Sequence, residues 1–127
     1  MERRFILGLT ILILVLAFSV GTAIGMKAIH APGEAALTEA ARLTLDGNME
    51  QAIPLAREAY DRWQKYRSIT AAFADHNPMD DTERLFREML VYAASREEPH
   101  FAACCTQLSA MLKATYEAHS FSLKNIL

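Results

Sequence analysis

The chain has 127 residues, of which 52% are hydrophobic and 22% are charged, and its formal net charge is −2. This length suits one small domain and a short additional segment. Charges of both signs are mixed along the chain rather than grouped in blocks, so nothing indicates a nucleic-acid partner. Cys104 and Cys105 are adjacent, and because successive side chains of a helix do not face each other, we expect buried apolar residues here rather than a disulfide.

The first feature along the chain is an uncharged stretch at residues 5–26, which follows a short basic start at residues 1–4. At about 1.5 Å per residue it forms a helix of roughly 33 Å, enough to cross a bilayer. A cleavable secretory signal is the alternative, since small residues suited to cleavage lie at 21–25, and cleavage would release a soluble secreted domain. The apolar core of a signal usually has about 7 to 15 residues, so the length favours an uncleaved transmembrane helix.

The flanking charges predict the orientation of this helix. Arg3 and Arg4 stand immediately before the span, whereas only Lys27 follows it before Arg42. Positively charged residues stay on the cytoplasmic side of a membrane helix. We therefore predict a single-pass protein with a cytoplasmic N-terminus and an extracytoplasmic remainder.

Beyond the span the sequence is typical of a small helical domain. Pro32 and Gly33 interrupt the pattern, so we expect a juxtamembrane linker at residues 27–33. Residues 34–127 show apolar side chains at helical spacing and no strand pattern, and the short connections imply antiparallel neighbours. The predicted fold is all-α, an N-terminal transmembrane helix followed by an antiparallel bundle of about four helices.

One helical hairpin carries a recognisable pattern. The segment LTLDGNMEQAIPLAREAY, residues 43–60, is similar to a tetratricopeptide hairpin in which Gly47 turns between two helices. A stable array needs about three repeats, and no second copy follows at a spacing of about 34 residues. We expect Asn48 to cap the second helix, with Gln51 at the capping-box position, and Pro54 to bend that helix or loosen its first turn.

The stretch DHNPMDD, residues 75–81, concentrates three carboxylates and an imidazole, but helix capping accounts for the residue types. Asn77 suits an N-cap and Pro78 the first helical position. Asp80 and Asp81 would then lie in the first turn, at the positive end of the helix dipole. The sequence thus predicts a turn between two helices.

A metal site is the alternative interpretation of the same stretch. Asp75 and His76 are expected at the end of the preceding helix, where a histidine can face the last carbonyls. Zinc would require three or four convergent ligands, and His76 has only the carboxylate of Asp80 four residues on. We therefore predict no metal ligands, no cofactor and no catalytic residues, and we keep a metal-binding or hydrolytic domain using Asp75 and His76 as the alternative.

Several short motifs extend over most of the chain. They are Trp63 in DRWQKY, Asp75 and His76 in FADH, the later Glu83 and Glu88, Phe101 and Leu108 in the last helix, and the tail SFSLKNIL from Ser120 to Leu127. Together they resemble the bacterial family DUF4363. The resemblance implies a bacterial membrane protein with one transmembrane helix and an extracytoplasmic helical domain, and it implies no activity or cofactor. The residues it implies for a structural or interaction role are Trp63, Asp75, His76, Phe101 and Asn125.

The expected function is that of a membrane-tethered interaction module rather than an enzyme, because no Gly-rich phosphate loop and no nucleophile elbow is present. The partner would be another membrane or envelope protein. Self-association is a second predicted mode of interaction, since Ala17, Gly21 and Gly25 form a ridge of small side chains on the predicted transmembrane helix. We also expect the apolar tail after the last helix to fold back onto the bundle.

Overall fold

The computed structural model describes residues 2–74 and 76–126, with side chains as far as residue 118. Within these ranges the chain forms four helices and no strand: α1 (Glu2–Leu45), α2 (Met49–Phe73), α3 (His76–Ser95) and α4 (Glu98–Ile126). The prediction of an all-α fold with a helical bundle is confirmed. Helix α1 is also apolar enough and long enough to span a membrane.

The four helices form an antiparallel bundle in which α1 packs against both α2 and α4, while α3 packs mainly on α4 and more lightly on α2. Its core consists of residues at helical spacing on each element. The largest fully buried core side chains include Leu37, Trp63, Phe86, Met89, Phe101, Leu108 and Leu112. Phe73 lies at the end of α2 with 42% of its surface exposed.

The hairpin between α1 and α2 closes at Gly47, which adopts a φ of 85°. The amides of Gly47 and Asn48 donate to Thr44 and Leu43 carbonyls at 3.1 and 2.8 Å. This is the hydrogen-bond pattern of a Schellman C-cap, whose left-handed position glycine fills without strain. Asn48 stands at the N-cap of α2 as predicted, but its side chain makes no capping hydrogen bond, and its carbonyl accepts the amide of Gln51 instead.

The predicted interruption at residues 27–33 is wrong, because α1 runs unbroken through Pro32 and Gly33. Proline removes one backbone donor from a helix and crowds the preceding turn. Here a side chain of α2 compensates for that loss, as described below. Pro54 is likewise contained within the continuous helix α2.

The predicted boundaries of the last two helices also need correction. Helix α3 begins at His76, so Asn77 and Pro78 already lie in its first turn and Asp80 follows that turn. His76 starts α3 rather than ending α2, and Asp75 lies outside the described residues. The tail does not form a separate segment after the last helix, because α4 continues as far as Ile126.

The first part of α1 projects beyond the bundle. Its large apolar side chains between residues 5 and 15 are 46% to 72% exposed. Contact with the bundle begins farther along, where the Phe18 and Phe73 rings lie 6.3 Å apart. The predicted transmembrane stretch and the bundle therefore overlap along residues 18–26.

Candidate functional site

The joint between the apolar part of α1 and the bundle is held by Arg62 of α2. Pro32 has no amide hydrogen, so the carbonyl of Ala28, four residues earlier, lacks its usual partner in the helix. The Arg62 guanidinium donates to that carbonyl at 3.1 Å and to the carbonyl of Ile29 at 2.7 Å. A side chain thus supplies the donor that proline removes, and the helix stays intact.

Gly33 allows α1 and α4 to pack closely at the same level. A Cβ atom at this position would lie 3.2 Å from the Leu112 side chain. Both residues are buried, so a larger side chain at Gly33 would displace its neighbour. Pro32 and Gly33 are therefore accommodated within the helix by contacts with α2 and α4.

His30 lies buried beside this joint. Its Nε2 atom is 2.9 Å from the Thr70 hydroxyl oxygen, and that hydroxyl donates to the Tyr66 carbonyl at 2.9 Å. Because the hydroxyl proton is already used, Nε2 carries the proton and donates to Thr70. The imidazole ring also packs on Trp63, with 5.7 Å between the ring centroids. This arrangement ties α1 to α2.

A buried carboxylate, Glu83, joins α2 to α3. Trp63 Nε1 donates to it at 3.2 Å and Gln64 Nε2 at 2.9 Å, while Arg67 and Arg87 lie within 3.4 Å. Burial raises the pKa of Glu83, but the hydrogen bonds from Gln64 and Trp63 and the two arginines outweigh it and hold the pKa below its usual value. The carboxylate is therefore ionised and fully bonded near neutral pH, as in a structural clamp.

Polar contacts also connect α4 to α1 just beyond the joint. The Tyr116 hydroxyl donates a short hydrogen bond to the Glu34 carboxylate. This bond, with a smaller contribution from burial, raises the pKa of Tyr116 to about 12. One turn away, the hydroxyls of Thr38 and Ser109 are 2.7 Å apart. The joint is thus braced by α2 on one side and α4 on the other.

An apolar groove opens between α1 and α2 below Arg62, and we call it the α1–α2 groove. One wall consists of α1 side chains between residues 18 and 29, and the other of Ile69 and Phe73. The volume of the groove is about 320 Å³. Gly21 and Gly25 lie in its wall, and neither has another atom within 4 Å of the position a Cβ would take.

The structure places the other predicted residues apart from this groove. Trp63 and Phe101 are core residues, with 2% and 0% of their surface exposed. His76 is exposed, while Asp75 and the Asn125 side chain lie outside the described residues. Among the residues that are described, no group of three or more potential His, Cys, Asp or Glu ligands could hold a metal ion.

Neither cysteine has the environment of a nucleophile. Burial raises the pKa of Cys104, with a further contribution from Glu88, and burial raises the pKa of Cys105 to about 12. Both remain neutral thiols near pH 7, whereas a catalytic cysteine requires a lowered pKa. His100, one turn before Cys104, is exposed and packs against the Tyr92 ring.

Sequence reasoning missed the contacts of His30, Arg62 and Thr70 at the joint, and it named Glu83 only for the family resemblance. The pattern of apolar residues carries no information about them, because their partners lie tens of residues away along the chain. One signal was present for Arg62: a proline in a predicted helix leaves one carbonyl without a donor, so a nearby arginine could have been considered.

The joint and the bundle correspond to a known family. The family DUF4363, described as a domain of unknown function, matches residues 30–126. The match begins at His30, so it includes Pro32 and Arg62 of the joint, the bundle and α4 as far as its end, while Ala28 and Ile29 lie just before it. No curated protein and no solved structure matches the chain. The chain belongs to the DUF4363 family.

Proposed function

We propose that this chain is a membrane-anchored interaction module without enzymatic activity, and that the bundle lies outside a bacterial cell membrane while the N-terminus is cytoplasmic. Its partner is another protein of the membrane or envelope. The proposal rests chiefly on one observation: α1 is a single helix of 44 residues, with exposed apolar side chains between residues 5 and 15 and buried core residues from Leu37 to Thr44.

This continuity supports a docking role because it couples the bundle to the membrane rigidly. A bundle on a flexible linker would sample many orientations, and a partner would have to restrict them at an entropic cost. The contacts of Arg62, Gly33 and His30 instead fix the angle between the apolar part of α1 and the bundle. A module held in one orientation presents the same surface to its partner at all times.

Self-association through Ala17, Gly21 and Gly25 remains a second mode of interaction. Gly21 and Gly25 have open space beside them, which supports the approach of another helix along this ridge. Phe18 and Phe73 stand beside the ridge, so a second helix would lie across the mouth of the α1–α2 groove rather than within it.

The test uses the full chain with a C-terminal tag in bacterial membranes. We expect the chain to resist carbonate extraction at its full mass and the tag to be accessible to protease from outside the cell. A photo-cross-linking residue should then give a discrete product with one membrane or envelope protein when placed at Val91, which is 64% exposed.

Two results would contradict the proposal. A soluble product that lacks residues 5–26 would identify a cleaved signal. Stoichiometric metal in the purified full chain, lost in His76→Ala, would support the alternative of a metal-binding or hydrolytic domain.

A further inference from the structure

Two cationic side chains and an aromatic ring lie next to one end of the α1–α2 groove. Arg62 is adjacent to the groove, since it donates to the carbonyl of the lining residue Ile29. Lys65 and Tyr66 precede the lining residue Ile69 by about one helical turn. The Arg62 guanidinium and the Lys65 ammonium lie 5.2 and 5.3 Å from the centre of the Tyr66 ring. We call these three residues the cationic rim.

The cations of the rim have no acidic partner in the part of the chain that the structure describes. Among the side chains that the structure describes, neither Arg62 nor Lys65 has a carboxylate within 4 Å, although other arginines of the bundle form such pairs. Both cations lie beside the same ring and offer positive charge to an anion, and a tyrosine is typical of the membrane interface.

The size of the groove decides what can enter it. The groove has about 320 Å³ and is open on one side, so a helix of about 10 Å diameter would rest across its mouth rather than within it. A hydrocarbon chain is narrower than a helix and can lie inside the groove.

The chemistry of the walls also fits a hydrocarbon chain. The walls are apolar except for Thr22, and its hydroxyl already donates to the Phe18 carbonyl at 2.8 Å. A polar ligand would find no free hydrogen-bond partner there and would lose its hydration. The groove also lies along residues 18–29, most of which belong to the predicted transmembrane stretch, where acyl chains surround the helix.

We propose that the chain binds one anionic glycerophospholipid, with an acyl chain in the α1–α2 groove and the phosphate at the cationic rim. The inference rests on the membrane anchoring proposed above. The lipid fills the space between α1 and α2 and adds a contact between the bundle and the outer leaflet.

The experiment is lipid binding to the detergent-solubilised full chain, followed by native mass spectrometry. The two probes are dioleoyl phosphatidylglycerol and dioleoyl phosphatidylcholine, which share their acyl chains and differ in net charge. We expect one phosphatidylglycerol per chain and weaker binding of phosphatidylcholine. Lys65→Gln should reduce the preference for phosphatidylglycerol by about fivefold, the effect of one basic residue near an anionic lipid.

Matched variants separate the groove from the rest of the helix. Gly25→Leu places a side chain in the groove and should weaken binding of both lipids by about tenfold, because it displaces about two methylene groups of the acyl chain. Gly8→Leu adds the same side chain to a part of α1 that also has open space, and it should bind as wild type. Lys27 is adjacent to Ala28, which Arg62 contacts, but it lies on the face of α1 opposite the groove. Lys27→Gln should therefore keep the preference for phosphatidylglycerol. Circular dichroism verifies that each variant is helical.

Equal lipid binding by Gly25→Leu and Gly8→Leu would overturn the inference. A second contradicting result would be a wild-type dimer that carries no lipid and that Gly25→Leu converts to a monomer. The small residues of α1 would then form a protein contact and no lipid site. Carbonate extraction of the same variants distinguishes the two proposals: a chain that stays in the membrane without selective lipid binding contradicts only the lipid site. Release of the wild-type chain would contradict the anchoring as well.

Discussion

Arg62 supports the continuity of α1 past Pro32. It is half-buried on α2, and its guanidinium donates to the carbonyls of Ala28 and Ile29 across the helix interface. A hydrogen bond from a charged group contributes about 1.5 to 3 kcal/mol, and less where the bond is exposed to water, as the bond to Ala28 is. Pro32 leaves the Ala28 carbonyl without its helix partner, so Arg62 and Pro32 are energetically coupled.

A double-mutant cycle measures this coupling. We expect Arg62→Gln to reduce the free energy of unfolding by about 1 to 3 kcal/mol, measured by thermal unfolding of the full chain in mild detergent. In the Pro32→Ala background the same change should have a smaller effect, because the new amide of residue 32 can donate to Ala28. Arg57→Gln, an exposed change on the same helix, is the control. Equal effects of Arg62→Gln in both backgrounds would contradict the assigned role.

Glu83 predicts a pH dependence. Its pKa is lowered in the folded state, so the unfolded chain binds a proton more readily than the folded one. The stabilisation is present above the unfolded pKa of a glutamate, about 4.3, and it is lost as the pH falls through the lower folded pKa. The difference in the free energy of unfolding between wild type and Glu83→Gln should therefore decrease as the pH is lowered.

At pH 7 we expect Glu83→Gln to reduce the free energy of unfolding by about 1 to 3 kcal/mol, because charge-assisted bonds to Trp63 and Gln64 become neutral. Urea unfolding followed by circular dichroism at pH 7 and near pH 3 makes the comparison. Glu88→Gln is the control, since the side chain of Glu88 is 45% exposed. If Glu83→Gln and wild type differ in the free energy of unfolding by the same amount at both pH values, Glu83 is not an ionised carboxylate held by these bonds.

At the scale of residues, the sequence predicts which side chains are buried better than it predicts which hydrogen bonds they form. Trp63 and Phe101 are recognisable because each falls on an apolar stripe, and both are buried in the core. His30 and Glu83 are also buried, yet their residue types predict exposure unless a partner is known. Those partners are Thr70 and Trp63, which only the tertiary fold brings close.

At the scale of elements, the packing of α1 on α4 depends on the small residue at position 33. We expect Gly33→Leu to reduce the free energy of unfolding by about 1 to 3 kcal/mol, since its side chain would overlap Leu112. The double variant with Leu112→Ala should recover part of this loss, because alanine vacates the space. Thermal unfolding of the single and double variants makes the comparison. An additive loss would show that the two residues are not in contact.

The errors in predicted element boundaries share one cause. Proline and glycine at positions 32 and 33 break a helix when only local sequence is considered. Arg62 and Leu112, on other elements, reverse that preference through tertiary contacts. The turn at Gly47 was predictable because its hydrogen bonds are local, with both acceptors within five residues. Local rules thus hold where the partners are local.

At the scale of the whole molecule, the overlap between span and bundle affects how the protein would sit in a membrane. Ile69 and Phe73 lie against the part of α1 that was predicted to cross the bilayer. The exposed Asp80 and Asp81 lie on α3, which packs on α4 and more lightly on α2. We expect α1 to tilt so that the α1–α2 groove lies deeper in the membrane than α3 does. A tilt of about 20° is common for membrane helices.

The central claim is that α1 is one rigid helix from the membrane into the bundle, and a distance across the joint tests it most directly. Spin labels at Leu12 and Ala35, both exposed, would be measured by pulsed electron paramagnetic resonance on the full chain in lipid nanodiscs, with Cys104 and Cys105 replaced by alanine. A continuous helix predicts a single narrow distribution near 35 Å, from about 1.5 Å per residue. A broad distribution, or one centred well below that value, would reveal a hinge at residues 27–33 and contradict the account.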